Sequence, residues 1–301
     1  MFYQKTLKLL SVLFTIVFLM SCASVDKKKE TQRNPETFMW KLTSETATVY
    51  MLGSIHLGQK DMYPLHATIE KAYDESDYLV VEADISTDKM TELRALTMKY
   101  GMFTDGNSLQ KVLSEKVYTQ LDTELQSLGL SAAAFNSFKP WLVVLTLGAM
   151  KTSGMNLDAQ LGIDMYFLNK AHETPKEVLE LESVALQLSL FDSIPLNDQI
   201  KYLEQTMAQK PEESIEVLTK LVAAWKAADP KKMGEIIEKS STENSLESVL
   251  FGKRDTDMAE KIIGYLATDK TYFVVVGAGH LAGSHSIIEN LKKKGYKPVQ
   301  Q

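Results

Sequence analysis

Two stretches of this chain repeat one pattern. The first is Val49-Tyr-Met-Leu-Gly53-Ser-Ile-His56-Leu-Gly58, and the second is Tyr272-Phe-Val-Val-Val-Gly277-Ala-Gly-His280-Leu-Ala-Gly283. Each is a β-branched and aromatic run closed by a glycine, with a histidine three residues further on. Runs this apolar suit strands buried on both faces, which a parallel sheet covered by helices provides. A glycine at the strand end lets the backbone turn sharply or approach a ligand, and open α/β sheets place their chemistry at that rim. The chain holds only five histidines, so His56 and His280 are read as two halves of one site.

The elements between and around these motifs give an α/β fold. Phe38 to Leu42, a turn at Ser44 to Ala47 and Thr48 to Leu52 read as a hairpin. A helix opening at Pro64-Leu65 leads to Tyr78-Leu79-Val80-Val81-Glu82, a strand ended by a carboxylate that is out of pattern, because an unpaired buried Glu is costly. The order predicts a βαβ unit in which the first Gly-x-x-His strand and the Glu82 strand are parallel neighbours. From Thr87 to about Phe251 helical patterns dominate, among them Met90 to Tyr100, Leu109 to Leu128 and Leu246 to Phe251, with one strand at Glu177 to Leu181. A last helix is expected from Ser284 to Lys294, followed by an edge strand near Val299. The expectation is one domain over 38–301: a central mixed, mostly parallel sheet from the first and last thirds, with a helical insert over about 87–251 forming a cap.

Lys5 and Lys8, an apolar stretch from Leu9 to Met20 and then Ser21-Cys22 form a targeting segment too short to span a bilayer comfortably. Leu19-Met20-Ser21-Cys22 resembles the bacterial lipobox, which implies removal of residues 1–21 and lipid attachment to Cys22. Residues 22–37 are polar and read as a tether. The expected setting is therefore extracytoplasmic, with the membrane as partner through lipidated Cys22. Since Cys22 is the sole cysteine, internal disulfides and thiolate metal sites are excluded. A formal charge of -6 and pI near 5.5 argue against nucleic acid as a partner.

Two imidazoles and Glu82 at one sheet edge are ligand types for a divalent cation such as zinc, manganese or cobalt, which would acidify a bound water. The same atoms suit metal-free chemistry, with one histidine as general base oriented by Glu82. Arg254, after the helix-breaking Gly252, reads either as a holder of a substrate carboxylate or oxyanion or as a solvated helix-start charge. Glu182 is either a second acid or a carboxylate favoured at a helix start. His66 and His172 read as surface residues, and His285 as a neighbour supporting His280.

Gly53-Ser-Ile-His56, Glu82, Lys139-Pro140-Trp141, Gly162-Ile163-Asp164, Leu181-Glu182 with Gln187, Arg254 and Gly277-Ala-Gly-His280-Leu-Ala-Gly283 together resemble the TraB/GumN family, over roughly Phe38 to Val299. The resemblance implies kinship with the Tiki membrane-tethered metalloproteases and the TraB pheromone-shutdown proteins. More distantly, the chain is similar to erythromycin esterases and to a haem-binding lipoprotein group. It further implies that His56, Glu82, Arg254 and His280 line one cleft. Ser54 stands where that family usually has threonine, and Asp255 where it usually has asparagine, a charge expected to weaken anion binding at Arg254. The leading expectation is a lipid-anchored metal-dependent hydrolase acting on peptides, with His56, Glu82 and His280 holding the ion. The alternatives are a non-catalytic protein that sequesters a peptide or haem-like small molecule, and a metal-free esterase-type hydrolase.

Overall fold

The computed structural model describes residues 37–151, 157–240 and 249–301. The expected signal segment, Cys22 and nearly all of the tether lie outside the described residues, as does the first half of the helix expected at Leu246 to Phe251. The tether's last residue, Thr37, belongs to the fold: it is buried and its hydroxyl donates to Gln301 O at 3.1 Å.

The hairpin forms as its alternation predicts. β1 (Met39–Thr43) and β2 (Thr48–Ser54) pair antiparallel, with Ser44 Oγ accepting from the Ala47 amide at 3.0 Å inside the turn. α1 (Ala67–Asp74) leads to β3 (Tyr78–Val81), and α2 (Met90–Gly101) follows. The helix expected from Leu109 to Leu128 is interrupted. A single turn, Leu109–Val112, ends before α3 (Glu115–Ser127), because Ser114 caps α3 by accepting from the Val117 amide. Then come α4 (Pro140–Lys151), α5 (Ile163–Glu173), β4 (Glu177–Glu180) and α6 (Val184–Asp192). The chain continues through α7 (Leu196–Ala208), α8 (Pro211–Lys226), α9 (Pro230–Ser240), α10 (Lys253–Tyr265), β5 (Thr271–Gly277), α11 (Ile287–Lys293) and β6 (Val299–Gln300). The last helix starts at Ile287 and not at Ser284, since Ser286 is its cap.

The six strands form one mixed, mostly parallel sheet in the order β4-β3-β5-β2-β1-β6. One expectation is corrected: β2 and β3 are not neighbours, because β5 lies between them and pairs with both. β5 is the strand with most to hide. Phe273, Val274, Val275 and Val276 have no solvent exposure, and only a central strand covers both edges and both faces. Phe273 packs against Tyr73 of α1 and Phe167 of α5, with ring centroids 5.5 and 4.8 Å away.

The helical middle does two jobs. α3, α4 and α7 build a cluster of their own from Leu121, Leu125, Val143, Leu147 and Leu203. α5 and Trp225 of α8, by contrast, enter the core of the sheet, and β4 extends the sheet itself. The segment expected as a cap is thus part scaffold.

Candidate active site at the carboxyl edge of the sheet

β2 and β5 run parallel in a register that sets Ser54 opposite Gly277, so both Gly-x-x-His segments leave the sheet side by side. Glu82 leaves from the other side of β5, its amide bonded to Val275 O at 3.1 Å, and Glu182 leaves β4 beyond it, its amide bonded to Glu82 O at 2.8 Å. Four parallel strands therefore deliver His280, His56, Glu82 and Glu182 to one rim, where open α/β sheets bind ligands.

A buried aspartate orients each imidazole. Gly162, just before α5, lies so close to the His56 segment that a Cβ there would stand 2.3 Å from His56 O. That approach brings Asp164 under the ring: its Oδ2 is 2.7 Å from His56 Nδ1, and its Oδ1 accepts from Ser54 Oγ at 2.7 Å. Asp255, in the first turn of α10, places Oδ1 at 2.5 Å from His280 Nδ1. An ionised carboxylate only accepts, so Nδ1 carries the proton in both rings and Nε2 faces the site.

Glu82 is held from several sides. Its Oε1 accepts from Arg254 Nη2 at 2.6 Å and Gln187 Nε2 at 2.7 Å, and its Oε2 accepts from the Gly277 amide at 3.1 Å. His280 Nε2 lies 3.6 Å from Oε1. Arg254 also grips Glu182, through Nε at 3.0 Å and Nη2 at 2.6 Å, while its Nη1 donates to Leu250 O at 2.8 Å. Gln187 Nε2 bridges from Glu82 to Glu182 Oε2, 2.9 Å away.

The electrostatics follow from burial and these pairings. Burial alone would raise the Glu82 pKa, but His280, Arg254 and His56 hold it well below the usual carboxylate range. Burial would lower both imidazoles. Asp164 and Glu82 overturn that for His56 and raise it to about 8, while Glu82 and Asp255 raise His280 to about 9. Asp255→Asn keeps an oxygen acceptor for Nδ1 but removes the charge that favours the imidazolium. The expected result is a His280 titration midpoint, followed by NMR on the metal-free protein, that moves down from about 9 toward the ordinary value. An unchanged midpoint would mean the Asp255 charge does not govern the ring.

The structure brings all four residues named from the sequence, His56, Glu82, Arg254 and His280, into this rim. It does not leave Arg254 free to greet a substrate anion: every guanidinium nitrogen already donates to a carboxylate or carbonyl. Asp255 does more than add a charge near Arg254: its carboxylate holds His280 Nδ1. Glu182, read from the sequence as either a second acid or a helix-start carboxylate, takes its place in the network, while Asp164, Gln187 and Asp255 carry positions there to which no role was given from the sequence. The faint signal was placement, since Asp164 and Asp255 both sit in helix first turns just after a motif glycine. His66 caps α1, and His172 and His285 are exposed, so His285 is not a support for His280.

Whether these residues suit a cation is tested at Gly277. A Cβ built there would lie 3.4 Å from His56 Nε2, 3.5 Å from Glu82 Oε2 and 3.6 Å from His280 Cδ2, the atom beside Nε2. Two carboxylate-anchored imidazoles and a carboxylate thus converge on Gly277, residue types that suit a divalent cation. Among the described residues, however, no group of three or more His, Cys, Asp or Glu side chains is placed so that it could hold a metal ion. The same described residues contain no helix long and apolar enough to cross a membrane.

Comparison with known proteins agrees with the motifs. The chain is similar to the protein YbaP of Escherichia coli (strain K12), 27% identical over 243 residues that cover 81% of this chain and 87% of the relative. It is similar to the Metalloprotease TIKI homolog of Nematostella vectensis, 23% identical over 331 aligned positions covering 90% of this chain and 69% of that protein. It also resembles Metalloprotease TIKI1 of Danio rerio, 21% identical over 318 positions covering 88% and 63%. The family model for TraB/PrgY/gumN matches residues 38–300, the span that carries both Gly-x-x-His strands and every partner described above. This chain belongs to the TraB/PrgY/gumN family.

Proposed function

We propose that the protein is an extracytoplasmic, lipid-anchored, metal-dependent hydrolase that acts on peptides. The observation that carries this reading is the meeting of His56 Nε2, Glu82 Oε2 and the His280 ring over Gly277, with each imidazole anchored by a buried aspartate. Kinship with proteins named metalloproteases supports the reaction class.

In this reading His56 and His280 through Nε2, and Glu82 through its carboxylate, hold a zinc, manganese or cobalt ion. When bound, such an ion supplies Lewis acidity and lowers the pKa of water toward neutrality. Asp164 and Asp255 keep Nδ1 protonated and the rings aimed, so that Nε2 would offer its lone pair once the second proton that the raised pKa values keep on each ring near neutrality is displaced. Arg254 and Gln187 hold Glu82 by its Oε1 and leave Oε2 toward the open point, with the Gly277 amide limiting its swing. Arg254 is therefore a positioning residue that keeps Glu82 ionised.

His56→Ala and His280→Ala are each expected to lose the bound ion, seen by elemental analysis, and the chelator-sensitive cleavage of a peptide library. Removing a direct ligand should cost more than the about 10- to 100-fold typical of a partner outside the ligand set. Wild-type protein with no ion, or peptide cleavage that survives in both variants, would sink the reading. Haem-like absorbance or stoichiometric capture without product would favour the sequestering alternative, and chelator-resistant ester cleavage the metal-free one. The anchor has its own test: Cys22→Ser should move the protein from the membrane to the soluble fraction, and an unchanged membrane fraction would remove the lipid from the proposal.

A further inference from the structure

Among the described residues six buried side-chain polar atoms lack a hydrogen-bond partner, and two of them, Gln187 Oε1 and Trp141 Nε1, lie on helices beside the site. Gln187 and Trp141 are each 2% exposed, yet Gln187 Oε1 and Trp141 Nε1 have no hydrogen-bond partner among the described residues; the same holds for Ser86 Oγ and Arg94 Nε. These belong to the loop after β3 and to α2, α4 and α6, whose apolar residues Leu93, Trp141, Leu142, Val184 and Leu188 form one cluster.

The orientation of Gln187 is not free. Its Nε2 lies between Glu82 Oε1 and Glu182 Oε2, both acceptors, so turning the carboxamide over would set its oxygen against two carboxylates. Oε1 must therefore point away from them as an unused acceptor. Val184, Gln187, Leu188 and Phe191 share the inner face of α6 at helical spacing, and the Trp141 ring stacks on Phe191 with centroids 5.6 Å apart. The Trp141 ring therefore lies against α6 one turn beyond Gln187, in the same apolar cluster. Leaving a buried donor and acceptor unmade is expensive, and one group offering both a carbonyl and an N–H would satisfy them together.

We propose that the place where Trp141 of α4 packs against α6 binds one amide group of the substrate, a peptide unit or an Asn or Gln side chain, with its N–H donated to Gln187 Oε1 and its carbonyl accepting from Trp141 Nε1. The proposal names the chemistry selected by the peptidase reading above and rests on it for the word substrate. Because Gln187 also braces Glu82, an amide held there stands next to the rim that carries His56 and His280.

The test needs no turnover. The probe is N-methylacetamide, a minimal peptide unit, titrated into metal-free full-length protein in detergent while the indole N–H signals of its three tryptophans are followed by NMR. Trp141→Phe identifies the Trp141 signal, and Trp225, whose Nε1 donates to Gly53 O at 2.7 Å, reports that the variant is folded. The expected result is a saturable shift confined to Trp141. N,N-dimethylacetamide, which keeps the carbonyl but has no N–H, should bind at least about tenfold more weakly, and Gln187→Met should abolish that difference. A Trp141 signal that ignores both probes, responds equally to both, or is already bonded and exchange-protected by a resident water would overturn the proposal. An absence of bound metal would overturn the hydrolase reading while leaving the Trp141 response intact, so the two failures are distinguishable.

Discussion

Gly277→Ala is expected to leave the protein folded and, on the hydrolase reading proposed above, to abolish ion binding and cleavage. The added methyl would occupy the point where His56 Nε2, Glu82 Oε2 and the His280 ring converge, at 3.4, 3.5 and 3.6 Å, distances that are ordinary contacts and not clashes. The backbone there, φ -49 and ψ 134, suits alanine as well as glycine, and a residue with fewer unfolded conformations offsets any crowding. Stability should therefore stay within about 1 kcal/mol of wild type. Ion binding and peptide cleavage should fall by about 100-fold or more, because a displacement of about 1 Å in a reacting constellation already costs that much. The measurement is elemental analysis and cleavage rate beside a denaturant titration. An alanine variant that keeps its ion and its rate would show that the working centre lies elsewhere.

The second large effect is on stability. Arg254→Met is expected to destabilise the fold by about 3–5 kcal/mol at neutral pH, since it removes the guanidinium that pairs two buried carboxylates, leaving Glu82 to His280 and His56 and Glu182 without a cationic partner. Glu82 and Glu182 side chains are only 11% and 4% exposed, and without the guanidinium they would share nothing but the Gln187 amide. The pH dependence follows in sign. In wild type Glu82 titrates below its ordinary value, so its contribution is present at neutral pH and is lost as pH falls through that depressed value. In the variant Glu82 loses Arg254 but keeps His280 and His56, so its pKa rises from that depressed value, and acidification through the carboxylate range relieves part of the penalty. The gap between the two proteins should therefore narrow as pH is lowered through that range. Adding Glu182→Gln to Arg254→Met should recover part of the loss, a coupling that a double-mutant cycle measures. A loss under about 1 kcal/mol, with no pH dependence, would mean that Arg254 is a solvated charge after all.

Together these experiments separate the parts of the rim. Gly277 reports on the space, His56 and His280 on the donors, Asp255 on imidazole charge, and Arg254 on what keeps Glu82 ionised. A single knockout that merely unfolds the protein cannot do that, because loss of fold and loss of site look alike in an activity assay.

The sequence by itself determined the repeating units. A period of two broken by Gly-x-x-His, a carboxylate at the end of an apolar strand and caps at helix starts are consequences of residues a few positions apart, so His56, Glu82 and His280 were legible one by one. Fold class was legible for the same reason. Only the tertiary structure decided who touches whom. β5 slips between β2 and β3 because the fully buried Phe273-Val-Val-Val276 run must be central, and pairing across some two hundred residues leaves no local trace. Asp164 meets His56 from 108 residues away, and Asp255 turns to His280 while its chain neighbour Arg254 turns to Glu82 and Glu182. Successive side chains in a helix point about 100° apart, so adjacency in the chain did not mean a shared partner. Charge and hydrogen-bond capacity are properties of a residue, but what they bind is set by packing, which decides the distance and the burial at which those capacities are exercised.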